Sequence, residues 1–397
     1  MKCLPTALIV TAILAHVPCT RAKQVFTARY YPERHNYLVG EPIIVDLEVV
    51  NHSDTIGEIS ESDCAWTPGP FEVEGAPPKK EYVPFSCGPK AIAGSCLIGA
   101  SEIPAQGKYL KRLLLDGPFV LDSPGTYHVR ATSEQDISRP GSSEVLARLH
   151  IDSEFELTLR APQAAELEAA YKPFLADLKS RDPSIRYFAA SAIAENPPHF
   201  AEATILALTH RQMTAIVAIE ALGRLATPTA RARLIQMAAT GPEEFRQPAI
   251  QALGELNNPM DCRAMLGIAR RNQDFTQGEA YIYVARLCKE RAVPVSSQLL
   301  SGATPSLSGY LAVSFENTSS RNAVPPLISL LVNPDQGVRR EAEEALQTLT
   351  HRKARFGVAS AESSDKSRIE WTNWWAANGG TAIIYGPDQC AEPLPLP

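Results

Sequence analysis

Four closely spaced carboxylates could form a calcium-binding loop, because calcium is bound by clusters of oxygen ligands. They are Asp54, Glu58, Glu61 and Asp63, directly before Cys64. Their spacing does not follow the pattern D-x-[DN]-x-[DN]-G of such loops, so solvation of a surface loop explains them better. The histidines are scattered, and none has a second histidine or a cysteine four residues away. The sequence therefore predicts no metal site.

Motifs for nucleophilic or phosphate chemistry are absent from the sequence. It contains no G-x-S-x-G, no H-E-x-x-H, and no S-x-x-K accompanied by its supporting motifs. It also lacks the glycine-rich phosphate loops G-x-x-x-x-G-K-[ST] and G-x-G-x-x-G. The net charge is −6, and there is no basic footprint for nucleic acid. These observations predict a protein with no catalytic residue, no cofactor and no nucleic-acid partner.

The first residues have the composition of an export signal. Lys2 is followed by an apolar run from Leu4 to Val17, and T-R-A then ends at Ala22. This run is too short to span a bilayer comfortably, so residues 1–22 are predicted to be a cleaved secretory signal peptide. A retained anchor is the alternative. No later segment is long and apolar enough to cross a membrane, so the mature protein is expected in the periplasm or outside the cell, without stable membrane insertion.

Residues 23–160 have the period of β-strands. The stretch I-I-V-D-L-E-V-V (43–50) alternates between two faces and is followed by the turn-forming N-H-S-D. A second strand follows Pro124-Gly125 and places Tyr127, Val129 and Ala131 on one side. The last strands of this part are predicted at 144–151 and 155–159.

A tyrosine directly after such a turn resembles the tyrosine corner of immunoglobulin-like sandwiches, which assigns this role to Tyr127. The segment 58–107 is rich in Pro, Gly and Ser and is predicted to be a long irregular loop. It contains Cys64, Cys87 and Cys96, which are candidates for disulfides in an exported protein. Residues 23–160 are therefore predicted to form a small antiparallel β-sandwich with an elaborated loop.

From residue 161 the period changes and one phrase recurs. Its copies are S-A-I-A-E-N-P (191–197), A-L-G-R-L-A-T-P (221–228), A-L-G-E-L-N-N-P (252–259), Y-V-A-R-L (283–287), Y-L-A-V-S (310–314) and A-L-Q-T-L (345–349). A spacing of about thirty residues is typical of repeat proteins and fits one pair of helices per unit. Residues 161–355 are therefore predicted to be an all-α array of about six units.

The first and last units also share a motif between their two helices. D-P-S-I-R (182–186) and N-P-D-Q-G-V-R-R (333–340) both place Asp and Pro before an aliphatic residue and Arg. Together with the recurring phrase, these motifs make residues 165–352 resemble HEAT repeats, including the short bacterial HEAT-like repeats first noticed in phycobilisome lyases. The resemblance implies an α-solenoid whose second helices line a concave face, usually used to bind other proteins. It implies no reaction.

Arg186 and Arg339 occupy equivalent places in this motif. We expect each guanidinium to hydrogen-bond the neighbouring unit and so to stack one repeat on the next. Binding of an acidic partner by the same two arginines is the alternative.

Two cysteines test the predicted pairing of helices. Antiparallel helices at about 260–271 and 278–290, joined near Asp274, would bring Cys262 and Cys288 side by side. A disulfide across this hairpin is predicted, and two buried free thiols are the alternative. The sequence assigns no partner to Cys390.

Three of the four tryptophans lie near the C-terminus. Trp371, Trp374 and Trp375 are spaced i, i+3, i+4, which places them on one stripe of a short helix predicted from about Ser367 to Ala377. The final unit of a solenoid needs a cover for its apolar face. Residues 356–397 are therefore predicted to be a cap and tail, with a sugar-stacking platform as the alternative.

The combined prediction is a multidomain protein, all-β and then all-α, without enzymatic activity. Its expected function is that of an exported scaffold whose solenoid binds a protein partner. Two alternatives belong to other classes. One is a protease-inhibitor or carbohydrate-binding role carried by the sandwich and its loop, and the other is a lyase-type accessory enzyme.

Overall fold

The computed structural model of the protein describes residues 25–63, 70–76, 97–116, 119–271, 275–387, 389 and 393–396. Several sequence predictions lie outside the described residues, namely the signal peptide at 1–22, Cys64, Cys87, Cys96, Cys390 and the turn at Asp274. The described chain consists of a sheet-rich region followed by a helical region.

The sheet-rich region contains nine strands within its described residues. They are β1 (Phe26–Pro32), β2 (Asn36–Leu38), β3 (Ile44–Asn51), β4 (Gly57–Asp63), β5 (Phe71–Val73), β6 (Leu97–Ile103), β7 (Lys108–Leu114), β8 (Gly125–Ser138) and β9 (Val145–Arg160). Buried and exposed side chains alternate along these strands, as the sequence pattern predicts. In β8, Val129 and Ala131 are buried, whereas His128 and Arg130 are exposed.

These strands form two open sheets. One has the order β1-β3-β7, and the other has the order β2-β9-β8-β4-β6, with β5 also paired to β8. Strand β2 pairs with β9 in parallel, and the other pairings described in this region are antiparallel. Side chains from both sheets share one hydrophobic cluster, in which the Tyr30 ring meets the Phe71 ring edge-on at 5.7 Å.

Two predictions in this region are wrong. The segment 58–107 is not irregular throughout, because β4 and β6 pair along their lengths and bury Ile59 and Ile103. The backbone ladder forms there although β4, G-E-I-S-E-S-D, contains a single large apolar residue. The strands predicted at 144–151 and 155–159 are one continuous strand, β9. The polar residues between the two predicted strands remain part of β9, because the Asp152 carboxylate forms an ion pair with the Arg130 guanidinium of β8 at 2.7 Å.

The helical region begins with six consecutive pairs of helices in its described residues. The helices are α1 (Ala164–Asp177), α2 (Pro183–Glu195), α3 (Glu202–Leu208), α4 (Gln212–Leu225), α5 (Pro228–Thr240), α6 (Glu243–Glu255), α7 (Cys262–Arg271), α8 (Phe275–Cys288), α9 (Val293–Leu300), α10 (Pro305–Asn317), α11 (Val324–Leu330) and α12 (Gln336–Thr350). The recurring phrase lies in the second helix of each pair, and consecutive second helices contact one another.

The glycine in the phrase A-L-G allows this close contact. A Cβ at Gly254 of α6 would overlap the ring of Tyr283 on α8, and a Cβ at Gly223 of α4 would lie 3.1 Å from the Cβ of Ala252. Real Cβ atoms are rarely that close to a neighbour. Glycine is therefore required at position 254, whereas a Cβ at Gly223 would need only a small shift of its neighbour, and the same position holds Ala194 in α2 and Ala285 in α8.

The C-terminal helix is longer than predicted. Helix α13 spans Ala361–Asn378, so the polar stretch predicted to precede it, A-E-S-S-D-K-S (361–367), is helical. It begins with a capping box in which Ser360 and Ser363 satisfy each other's backbone N–H groups, a signal that compensates for the weak apolar pattern. A short strand β10 (Arg352–Lys353) lies between α12 and α13, and it pairs in parallel with β11 (Leu394–Pro395) near the end of the described chain.

A buried polar network joins the sheet-rich region to the first helix pair. The hydroxyl of Tyr171 lies 2.7 Å from the carbonyl oxygen of Gly40 and 2.6 Å from that of Asn196, and it shares its proton between them. The Asn196 amide donates to Asp116 Oδ2 at 2.6 Å. Burial raises the pKa of Tyr171, so this hydroxyl remains protonated and keeps its role as a donor.

Candidate functional site

One face of helix α4 is open to solvent although it carries large apolar side chains. Met213, Ile216, Glu220 and Arg224 recur at helical spacing and are all exposed, while the opposite side of the helix is packed in the core. Met213 is 55% exposed and Ile216 is 44% exposed. The exposed face of α4 is therefore apolar at the N-terminal end of the helix and charged at its C-terminal end.

The neighbouring second helices present residues at equivalent positions. We define the open face as the exposed or half-buried side chains at these positions of α2, α4 and α6: Tyr187, Ser191 and Glu195 on α2, Met213, Ile216, Glu220 and Arg224 on α4, and Glu244, Gln247, Gln251 and Glu255 on α6. Because α4 contacts both α2 and α6, these side chains form one continuous surface.

Three apolar side chains of the open face form a patch. Tyr187 and Ile216 occupy the same position on adjacent helices, and Met213 lies one turn before Ile216. Each is more than two-fifths exposed, at 44%, 44% and 55% respectively. Adjacent exposed apolar groups rimmed by polar ones are typical of interaction surfaces rather than of scattered surface residues.

Charged side chains line the other end of the open face. The fourth residue of the phrase is Glu195, Arg224, Glu255 and then Arg286 in four consecutive second helices, so the sign alternates from unit to unit. The Arg224 guanidinium lies 3.5 Å from Glu195 and donates to the Ala194 carbonyl at 2.6 Å. Since the Arg224 side chain is 40% exposed, this ion pair contributes less than about 1 kcal/mol to stability. This alternation was not predicted, although it is visible within the repeated phrase.

Glu220 lies at the centre of the charged part of the open face. Burial among the side chains of neighbouring helices raises its pKa, opposed by Arg224, and the charges of Glu195 and Glu255 raise it further. The side chain is nevertheless solvent-exposed. Glu220 is therefore accessible to a ligand on the open face.

The open face leads into a cleft at the junction with the sheet-rich region. The cleft has a volume of about 560 Å³ and is lined by Glu195, Arg224, Gly40, Leu167 and residues 196–198. Its walls are mainly apolar apart from the Glu195–Arg224 pair at one side. A ligand on the open face could therefore extend to the loop that carries Gly40.

Both arginines that were predicted to stack the repeats bind carbonyls of the turn within their own helix pair. Arg186 Nη1 donates to the carbonyls of Ser180 and Arg181, at 2.7 and 2.9 Å, within its own helix pair. Arg339 makes the same two bonds, to Asn333 and Pro334, at 2.8 and 2.9 Å. Its Nε also donates to the Val358 carbonyl at 3.1 Å, so Arg339 binds the segment that follows its own helix pair as well, as predicted. The bonds thus close the turn between the two helices of one pair and do not link Arg186 to the next pair.

The remaining predicted site residues lie away from the open face. The sulfur atoms of Cys262 and Cys288 form a disulfide between α7 and α8, with the Cα atoms 5.2 Å apart. Tyr127 donates its hydroxyl proton to the Ser123 carbonyl at 2.8 Å. Trp371 is completely buried in the helical cluster, and Trp374 and Trp375 are partly buried against the same cluster.

Neither a cluster of metal ligands nor a membrane-spanning helix is present in the described part of the chain. No group of three or more His, Cys, Asp or Glu side chains there is arranged to hold a metal ion. Of the acidic cluster predicted to be a solvated loop, Asp54 accepts a hydrogen bond from Gln106 at 3.0 Å. Among the described helices, none is long and apolar enough to cross a membrane.

A comparison with known protein families bears on the part of the chain that forms the open face. No curated protein matches the chain. A family profile described as HEAT repeats matches residues 171–254, from α1 to the end of α6. The chain is thus similar to HEAT repeats over α1–α6, and this match supports a HEAT-repeat protein.

Proposed function

We propose that this protein is an exported, non-catalytic scaffold that binds a protein partner through the open face of α2, α4 and α6. The observation that carries the proposal is the apolar patch of Tyr187, Met213 and Ile216 beside the charged residues of the same helices. Covering such a patch removes apolar surface from water, which is the main favourable contribution to protein association.

The helices below the open face are suited to hold it in a fixed shape. Gly223 and Gly254 allow α4, α6 and α8 to pack directly against one another, so their exposed side chains keep a constant register. HEAT repeats are commonly scaffolds for protein interactions, and arrays of this kind present extended binding surfaces. A surface that needs no rearrangement retains more of its contact energy as affinity.

The finer architecture belongs to the same proposal. We take residues 23–160 as an immunoglobulin-like sandwich, supported by the Tyr127 to Ser123 hydrogen bond, and residues 161–355 as an α-solenoid. Residues 356–397 are taken as its cap, supported by the burial of Trp371. Export is supported by the leader-like residues 1–22 and by the Cys262–Cys288 disulfide, since disulfides persist in oxidising compartments.

Site-specific photo-cross-linking tests the proposed binding surface. A photoreactive amino acid placed at Ile216 is expected to capture a protein in the producing cells, and the same group at Ile369 is the control. Ile369 is similarly exposed, at 48%, but lies on α13. Capture at neither position, or equal capture at both, contradicts binding through the open face. Turnover by the purified protein in a hydrolase and lyase screen would contradict the non-catalytic proposal.

A further inference from the structure

The charges of the open face indicate what kind of partner fits it. Arg224 is paired with Glu195, while Glu220, Glu244 and Glu255 add negative charge to the same surface. The open face is therefore acidic overall. The charges of Glu195 and Glu255 repel Glu220 from both adjacent helices and oppose the attraction that Arg224 exerts on it.

The apolar and acidic parts of the open face are close enough to contact one ligand segment. Ile216 and Glu220 are four residues apart on α4, which separates their Cβ atoms by about 6 Å. In an extended peptide, residues two positions apart on one side are separated by about 7 Å. A ligand with an apolar side chain and a charged side chain at this spacing could meet both groups together.

We propose that the open face binds a peptide segment of a protein partner that carries lysine or arginine close to a large apolar side chain. This inference rests on the proposed function and specifies its partner. The apolar side chain would pack on Tyr187, Met213 and Ile216, and the cation would lie among the carboxylates of Glu220 and Glu255. A cation there lowers the repulsion that the carboxylates exert on one another.

Other kinds of ligand fit the open face less well. An acidic segment would add to the repulsion around Glu220, and a purely apolar one would remove hydration from carboxylates without replacing it. The excess of carboxylates over Arg224 on the open face therefore favours a cationic segment.

Binding of designed peptides to the full mature chain tests the inference. The probes are fluorescein-labelled peptides of Leu-Ser-Lys repeats, of Leu-Ser-Glu repeats and of Ser-Ser-Lys repeats, measured by fluorescence anisotropy. The Leu-Ser-Lys peptide is expected to bind about tenfold more tightly than either of the others, since only it supplies both contacts. Equal binding of the lysine and glutamate peptides, or binding of none, overturns the inference.

Matched variants then locate the site. Replacing Glu220→Gln and Glu255→Gln together is expected to remove the preference for lysine, while Glu134→Gln with Glu154→Gln is expected to preserve it. Both double variants change the net charge equally, but Glu134 and Glu154 are exposed residues of the sheet-rich region. If both double variants lose the preference for the lysine peptide equally, the inference is overturned, because such a result shows only an effect of the net charge.

The outcomes also separate this inference from the proposed function. Tighter binding of the glutamate peptide, weakened by Ile216→Ser, would refute a basic partner but leave the open face as a binding surface. If the cross-linking at Ile216 also captures nothing, the proposed function fails as well.

Discussion

Helices α4 and α8 are built on the same phrase but differ in what they present to solvent. At the position where α4 exposes Glu220, α8 has Ile282, which is completely buried. At the position of Ile216, α8 has Gly278, where a Cβ would overlap the ring of Tyr310 on α10. The repeat thus fixes the spacing of side chains, and the neighbouring helices decide whether a position becomes a binding surface or part of the core.

The surroundings of α8 explain this difference. The five residues from Tyr281 to Ala285 are all buried, as expected for a helix that is surrounded by others. Ser314 of α10 donates to the Tyr281 carbonyl at 3.0 Å, and the Cys262–Cys288 disulfide joins α8 to α7. We therefore regard α8 as the internal support of the array and α4 as the helix that carries the surface.

Exchanging the residue types at the equivalent positions 220 and 282 should have the largest effect on the free energy of unfolding. Ile282→Glu places an unpaired carboxylate in the core and is expected to cost about 4 kcal/mol or more of stability. Glu220→Ile changes an exposed position and is expected to alter stability by less than about 0.5 kcal/mol. Urea unfolding of both variants measures the contrast, and similar losses would contradict the distinction between α4 and α8.

Loss of the disulfide should have the next largest effect. The bridge closes a loop with a sequence separation of 26, so Cys262→Ser with Cys288→Ser is expected to lower stability by about 3.5 kcal/mol. The unreduced and reduced wild-type proteins, compared in the same unfolding experiment, provide the control. An unchanged midpoint after reduction would show that packing alone holds α8 in place.

The contact between α6 and α8 can be tested at its glycine. Gly254→Val would push against Tyr283 and is expected to cost about 1–3 kcal/mol. The matched control is Gly309→Ala in α10, where a Cβ meets nothing within 4 Å, and which should stabilise by about 0.5–1 kcal/mol. Thermal melting that shifts equally in both variants would contradict direct packing of second helices.

The smallest expected effect concerns a carboxylate on α12. Burial and the charge of Glu344 raise the pKa of Glu343 to about 7. Between the ordinary glutamate pKa and this value the folded protein binds more protons than the unfolded chain, so this group destabilises the fold as pH rises through that range. Glu343→Gln should therefore raise stability at pH 8, by about 1 kcal/mol after allowance for solvent screening, and have no effect at pH 4. Equal melting shifts at both pH values would contradict this.

The sequence was informative where one local signal repeats. The phrase identified the second helix of all six pairs, and the spacing of Cys262 and Cys288 predicted their disulfide. Predictions from the sequence were wrong where the structure depends on which strands pair with each other. The ladder between β4 and β6 and the continuity of β9 depend on backbone bonds to distant strands, which side-chain patterns describe poorly.

The candidate surface was only partly predictable. The face of the second helices was expected to bind a partner, but the fourth residue of the phrase, which alternates between acid and base, was overlooked. Which positions remain exposed could not be derived from the repeat, because the position that is exposed as Glu220 in α4 is buried as Ile282 in α8. The bonds of Arg186 were predicted to the neighbouring unit but lie within its own turn.

The central claim is that the open face of α2, α4 and α6 binds a protein partner. Its most direct test is the affinity of the partner captured at Ile216 for the wild-type protein and for Ile216→Glu, with thermal melting recorded on the same samples. The claim predicts that the variant melts like the wild type but binds about a hundredfold more weakly, as expected for a charge placed in the centre of an interface. Unchanged affinity in a folded variant would contradict it.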